Sequence, residues 1–84
     1  MSKIFVQVEV KFDLEGTMTP TSIQWEDGRK FEIDRILDVR RAASLKAGGQ
    51  GIRFTIRIQG NQRYLYFDEP LWFVEGKEEY IVPF

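Results

Sequence analysis

In an 84-residue chain without histidine or cysteine, chemistry has to come from arginines, carboxylates and aromatic rings. The missing residue types exclude imidazole general bases, thiol nucleophiles and zinc ligand sets, and with them hydrolase triads. No enzyme activity, cofactor or metal is therefore expected. Charge is the informative feature. The formal net charge is −1, yet residues 39–67 hold Arg40, Arg41, Lys46, Arg53, Arg57 and Arg63 and no acidic residue. The segments on either side are both net acidic. Arg53 and Arg57 sit four apart in an alternating run, which puts them on one strand face roughly 13 Å from each other at ~3.3 Å per residue. In the next run Tyr64 and Tyr66 share one face, and Leu65 and Phe67 share the other. With Leu65 and Phe67 in the core, both tyrosines join the arginines outside. Arginines beside exposed rings suit single-stranded nucleic acid, through phosphate pairing and base stacking. The candidate site is Arg53, Arg57, Arg63, Lys46, Arg41, Tyr64 and Tyr66, with Arg40 at its margin.

Two plainer readings compete. Arg53 and Arg57 are equally the polar outer side of a barrel strand, offset by an acid on a neighbouring strand such as Glu9. Alternatively, the basic hairpin meets an acidic patch of a second copy, around Glu75–Glu79. Other constellations carry less. Glu32 and Asp34 would share one strand face, but a solvated exterior opposite Phe31 and Ile33 explains them. Gly48-Gly49-Gln50-Gly51 lacks the Gly-Lys-Ser/Thr that opens a helix in a phosphate loop. It has the composition of an anion nest flanked by Lys46 and Arg41, or simply of a flexible connection. Trp25 and Trp72 lie among apolar neighbours and read as packing anchors.

The elements that position these residues are strands. Ile4, Val6, Val8, Val10 and Phe12 alternate with Phe5, Gln7, Glu9 and Lys11, the period-two pattern of a half-buried strand. Thr21 to Glu26 and a run from Arg29 through Phe31 and Ile33 flank Asp27-Gly28, a strong hairpin signal. The alternation breaks at Ile36-Leu37, which predicts a bulge or bend near Asp34-Arg35 or, as the rival, a helical turn over residues 34–41. Ile52 to Gln59 is a clear strand, Gly60-Asn61 reads as its turn, and Gln62 to Phe67 pairs back. Asp68-Glu69-Pro70 turns into a last strand at Leu71–Val74. Residues 41–47 are allotted at most one short helical turn. The expected fold is all-β, a single five- to six-stranded antiparallel barrel with SH3-like closure, or OB-like as the alternative. The domain spans residues 1–76, and residues 77–84 form a tail that is disordered or adds an edge strand. No apolar run approaches the ~20 residues of a membrane helix, and no signal-peptide pattern opens the chain. A cytoplasmic setting with no membrane partner is expected.

The pattern Pro20-x-x-Ile23-x-Trp25-x-x-Gly28-Arg29-x-Phe31-x-Ile33-x-x-Ile36-Leu37, followed by Gly51-Ile52-Arg53-Phe54, Tyr64-Leu65-Tyr66 and Trp72-Phe73-Val74-Glu75, resembles small uncharacterised bacterial families of β-rich proteins. Some families with this layout are associated with DNA-repair polymerases. The resemblance covers about residues 20–75. It implies a small barrel and favours a nucleic-acid context, and it transfers no catalytic residue. The sequence thus predicts a non-catalytic binding or accessory module that binds single-stranded nucleic acid weakly through a basic hairpin face. The alternative is a protein-interaction or homodimerisation module.

Overall fold

The alternation in residues 3–12 becomes the longest strand. The computed structural model describes residues 3–41 and 51–75. They form β1 (Lys3–Phe12), β2 (Met18–Gln24), β3 (Lys30–Glu32), β4 (Arg35–Arg41), β5 (Ile52–Ile58), β6 (Asn61–Asp68) and β7 (Leu71–Glu75). The sheet order is β3-β2-β1-β7-β6-β5-β4 and every pairing is antiparallel. The described residues are all-β, with seven short strands curled into a half-barrel rather than the five or six expected. No helix occurs among the described residues, so none is long and apolar enough to cross a membrane. The helical turn considered over residues 34–41 is strand instead. Most of the one allotted to residues 41–47, and the tail at 77–84, lie outside the described residues.

The seventh strand arises from one bend. β3 and β4 stand at opposite ends of the sheet, yet only Ile33 and Asp34 separate them. The Ile33 amide donates to the Thr21 carbonyl in the β2 strand at 3.0 Å, and the next amide, Asp34, donates to the Arg57 carbonyl in β5 at 2.8 Å. One dipeptide thus ties the two sides of the sheet together and sets its curl. The break in alternation expected near Asp34-Arg35 is this bend plus a bulge, since Ile36 pairs with Ile56 and Asp38 with Thr55, leaving Leu37 over. A second bulge sits where β1 crosses β2, between Glu9 and Val10. Bulges add twist and bend a strand, which is what a curled sheet requires.

Curling gives the sheet an inner face. Ile23, Trp25, Phe31, Phe54, Ile56, Ile58, Leu65, Trp72 and Val74 form its buried cluster, and Ile4, Val6, Val8 and Phe67 pack against it. The Trp72 ring meets Phe67 at 4.6 Å and Phe54 at 5.4 Å between centroids. Each such side chain contributes about 1.5–3 kcal/mol by leaving water. Both tryptophans are therefore core, as their apolar neighbours indicated.

Two backbone positions hold the β5–β6 hairpin in register. Its turn is Gln59-Gly60, with φ of 51° and 78°, between the paired Ile58 and Asn61. It lies one residue before the expected Gly60-Asn61. Positive φ at both central residues matches the right-handed twist of a two-residue hairpin, and glutamine is a poor occupant of the first position. At the other end Gly51 has φ 157°, and a Cβ there would lie 2.2 Å from the Phe67 carbonyl oxygen. Gly51→Ala is expected to lower stability by about 2 kcal/mol or more, because backbone must move to admit the methyl group. An unchanged midpoint in urea unfolding would contradict this. Gln59→Asn should move the same midpoint upward, by about 0.5–1 kcal/mol.

Candidate functional site

Residues directly opposite each other on antiparallel strands share a sheet face, so the pairing sorts the basic residues without ambiguity. Ile52, Phe54 and Ile56 face inward, which turns Arg53, Thr55 and Arg57 outward. Across β4, β5 and β6 the outer face then carries three rows. Arg35 pairs with Arg57, which pairs with Gln62; Asp38 pairs with Thr55, which pairs with Tyr64; Arg40 pairs with Arg53, which pairs with Tyr66. The bulge at Leu37 brings Arg35 onto the same face as Asp38 and Arg40.

Of the expected site residues, Arg53, Arg57 and Tyr64 assemble here in the open, Tyr66 shares the face but is buried, and Arg63 and Arg41 lie on the other side. Arg53, Arg57 and Tyr64 lie together, with the Arg53 guanidinium 4.6 Å from the Tyr64 ring centroid. Tyr66 occupies the expected face but is only 3% exposed. It stacks on Phe73 of β7 at 5.1 Å with 11° between the rings, and Phe5 meets the edge of the same Phe73 at 6.0 Å. The outer face therefore carries a small apolar cluster of its own, and Tyr66 is packing rather than an open platform. Tyr64 is 40% exposed. Arg63 pairs with Ile56 and Arg41 with Ile52, which puts both on the inner side, away from Arg53 and Arg57. Arg63 turns back along its own strand, its guanidinium donating to the Gln62 carbonyl at 2.8 Å. Lys46 lies outside the described residues.

Arg35 is the residue that sequence reasoning missed. It precedes Asp38 and so lies outside the acid-free stretch of residues 39–67. A parity count carried through the Ile36-Leu37 break would have reached it.

The charges on this face are poorly compensated. Arg35 faces Arg57 and Arg40 faces Arg53, and like charges directly opposite are destabilising. Asp38 is the only acid in the three rows. Its Oδ2 accepts from Arg40 Nε at 2.7 Å. That hydrogen bond holds the Asp38 carboxyl below its ordinary range, with the Arg40 and Arg53 charges adding to it against some desolvation. Asp38 in turn pushes the Arg40 guanidinium up. Arg53 Nε is buried and has no hydrogen-bond partner among the described residues, an arrangement native structures rarely leave without a cause.

The far side of the sheet is arranged the opposite way. Glu9 Oε1 accepts from Ser22 Oγ and Lys30 Nζ, each at 2.6 Å, and those two bonds hold its carboxyl low, Lys30 first. Glu9 is spent on Lys30, and β7 and β6 stand between its strand and β5. It is not the acid that offsets Arg53 and Arg57. Among the described residues no group of three or more acidic side chains is placed to hold a metal ion.

No family model, no curated protein and no solved structure matches the chain. The functional reading rests on the geometry of this face.

Proposed function

We propose that the outer face of β4, β5 and β6 binds single-stranded nucleic acid and that the protein is a small non-catalytic accessory module of the cytoplasm. The observation that carries this is the pair of arginine pairs, Arg35 opposite Arg57 and Arg40 opposite Arg53, with one acid among them. Two like-charge contacts on neighbouring strands cost the isolated protein free energy and are relieved by a polyanion. The planar guanidinium fork suits phosphate oxygens. Tyr64 narrows the class of polyanion, because an open ring beside arginines offers a base a stacking surface, and only unpaired bases present their faces.

We read the closure as SH3-like rather than OB-like. In support, the order β3-β2-β1-β7-β6-β5-β4 is a meander closed by its first and last strands, whereas an OB barrel is a Greek key. One observation favours the second reading, a protein partner or a second copy. Among the described residues β4 ends the sheet, and its Leu37 and Val39 are 38% and 51% exposed, so the strand presents an edge with apolar side chains.

Fluorescence anisotropy of labelled oligo-dT and oligo-rU at low salt tests the preferred reading. Binding is expected in the micromolar range or weaker, on the order of non-specific nucleic-acid affinities. It should fall steeply with salt as counterions are released, and Arg53→Glu/Arg57→Glu should remove most of it. Absence of binding at tens of micromolar protein, or equal affinity in the double variant, would refute it. An association insensitive to salt and to these substitutions, seen by ultracentrifugation, would support the β4 edge instead.

The same arginines should trade stability for binding. Arg57→Glu replaces a like-charge contact with an ion pair to Arg35. It is expected to raise stability by about 0.5 kcal/mol at low ionic strength, with the gain shrinking as salt is added, while weakening the nucleic-acid complex. A loss of stability would mean that Arg35 and Arg57 do not repel.

A further inference from the structure

Asp38 is an odd residue to find on this face. It sits in the middle row, between the two arginine pairs, and its carboxylate is bound to an arginine that faces Arg53 directly. Both partners are open to solvent, with 61% of the Arg40 side chain and 40% of the Asp38 side chain exposed. Exposed ion pairs of this kind are weak and exchange readily for another anion. The neighbouring Arg53 has its Nε buried without an acceptor. A pair of facing arginines thus has one arm engaged by an internal carboxylate, while the other lies against the Tyr64 ring with no ion pair among the described residues.

Resting on the nucleic-acid reading of this face, we infer that Asp38 is an internal competitor for the ligand: in the free protein its carboxylate occupies Arg40, and on binding a phosphate takes its place on the Arg40–Arg53 pair. The consequence is an affinity held deliberately below what four arginines would give. The carboxylate relieves part of the Arg40–Arg53 repulsion while the site is empty, and it must be displaced before both arginines serve the ligand. Arg35 and Arg57 carry no ion pair among the described residues, so the brake acts on one end of the face only.

The test compares wild type with Asp38→Asn, a near-isosteric change, by anisotropy titration of oligo-dT, oligo-dC and oligo-dA across a salt series. Asp38→Asn is expected to bind all three more tightly, by roughly three- to tenfold at low salt. The slope of log affinity against log salt should steepen by about 0.7, the value for one more neutralised phosphate on a single strand. Arg40→Gln should erase the gain, so that Asp38→Asn/Arg40→Gln binds no better than Arg40→Gln alone. Unchanged or weaker binding by Asp38→Asn overturns the competitor role. A loss confined to one oligomer overturns it in favour of a carboxylate that reads a base edge. These outcomes leave the nucleic-acid reading standing, since wild type still binds. Absence of binding by both proteins at low salt overturns that reading and the role of Asp38 with it.

Discussion

Two successive backbone amides, Ile33 and Asp34, donate to carbonyls on opposite sides of the sheet, Thr21 on one side and Arg57 on the other. Most of what distinguishes the inner from the outer surface depends on that arrangement. A flat sheet of seven short strands would leave both faces and both ends open to water. Drawing the ends toward each other encloses Ile23, Ile56, Ile58 and Leu65 completely. The bend also resets the side-chain phase. Phe31 faces inward on β3, and after the bend and the Leu37 bulge it is Ile36 and Val39 that share the inner side, sending Arg35, Asp38 and Arg40 out. The basic face is thus a consequence of closure as much as of composition.

Both halves of the outer surface carry polar strands, but they handle charge differently. On β1, β2 and β3 the Glu9 carboxylate gathers Ser22 and Lys30, and the Asp27–Arg29 pair closes the adjoining turn at 2.6 Å. On β4 and β5 arginine meets arginine twice. In the first half no charge stands directly opposite another, and Glu9 reaches its base two strands away; like charges set directly opposite, as on β4 and β5, are costly. The contrast within one sheet locates the unusual half.

The strands were largely legible in the sequence, since the apolar alternations correspond to β1, β5 and β6 and Asp27-Gly28 marks a real turn, although burial alternates cleanly only in β1. The pairing was less so. Placing the hairpin turn at Gly60-Asn61 shifts the β5–β6 register by two residues, and such a shift leaves every side chain on its own face. Apolar alternation therefore cannot choose between the two; the backbone at Gln59 and the close approach of Gly51 to Phe67 do. Parity also explains Arg63. It shares the phase of Leu65 and Phe67, so its inward side followed from the same alternation that put those residues in the core. Charge alone had grouped it with Arg53 and Arg57.

Tyr64 and Tyr66 show where alternation stops being informative. They share a strand, a face and a chemistry, and their rings lie 6.4 Å apart. Yet the pairing of β6 with β7 begins at Tyr66, opposite Phe73. Phe73 is nearly fully buried on the outer side of the sheet, so the outer face of β7 is apolar where that of β5 is basic. Tyr66 stands between Arg53 and Phe73 and is claimed by the apolar side; Tyr64, one row away and opposite Thr55, has the Arg53 guanidinium against it and stays open. The boundary between a packed cluster and an accessible basic surface runs between two tyrosines on one strand. It is set by where β7 begins to pair, a long-range fact that no local pattern around residues 64–66 contains. A ligand on this face would find one ring instead of two, so arginine geometry rather than aromatic stacking has to supply most of its affinity.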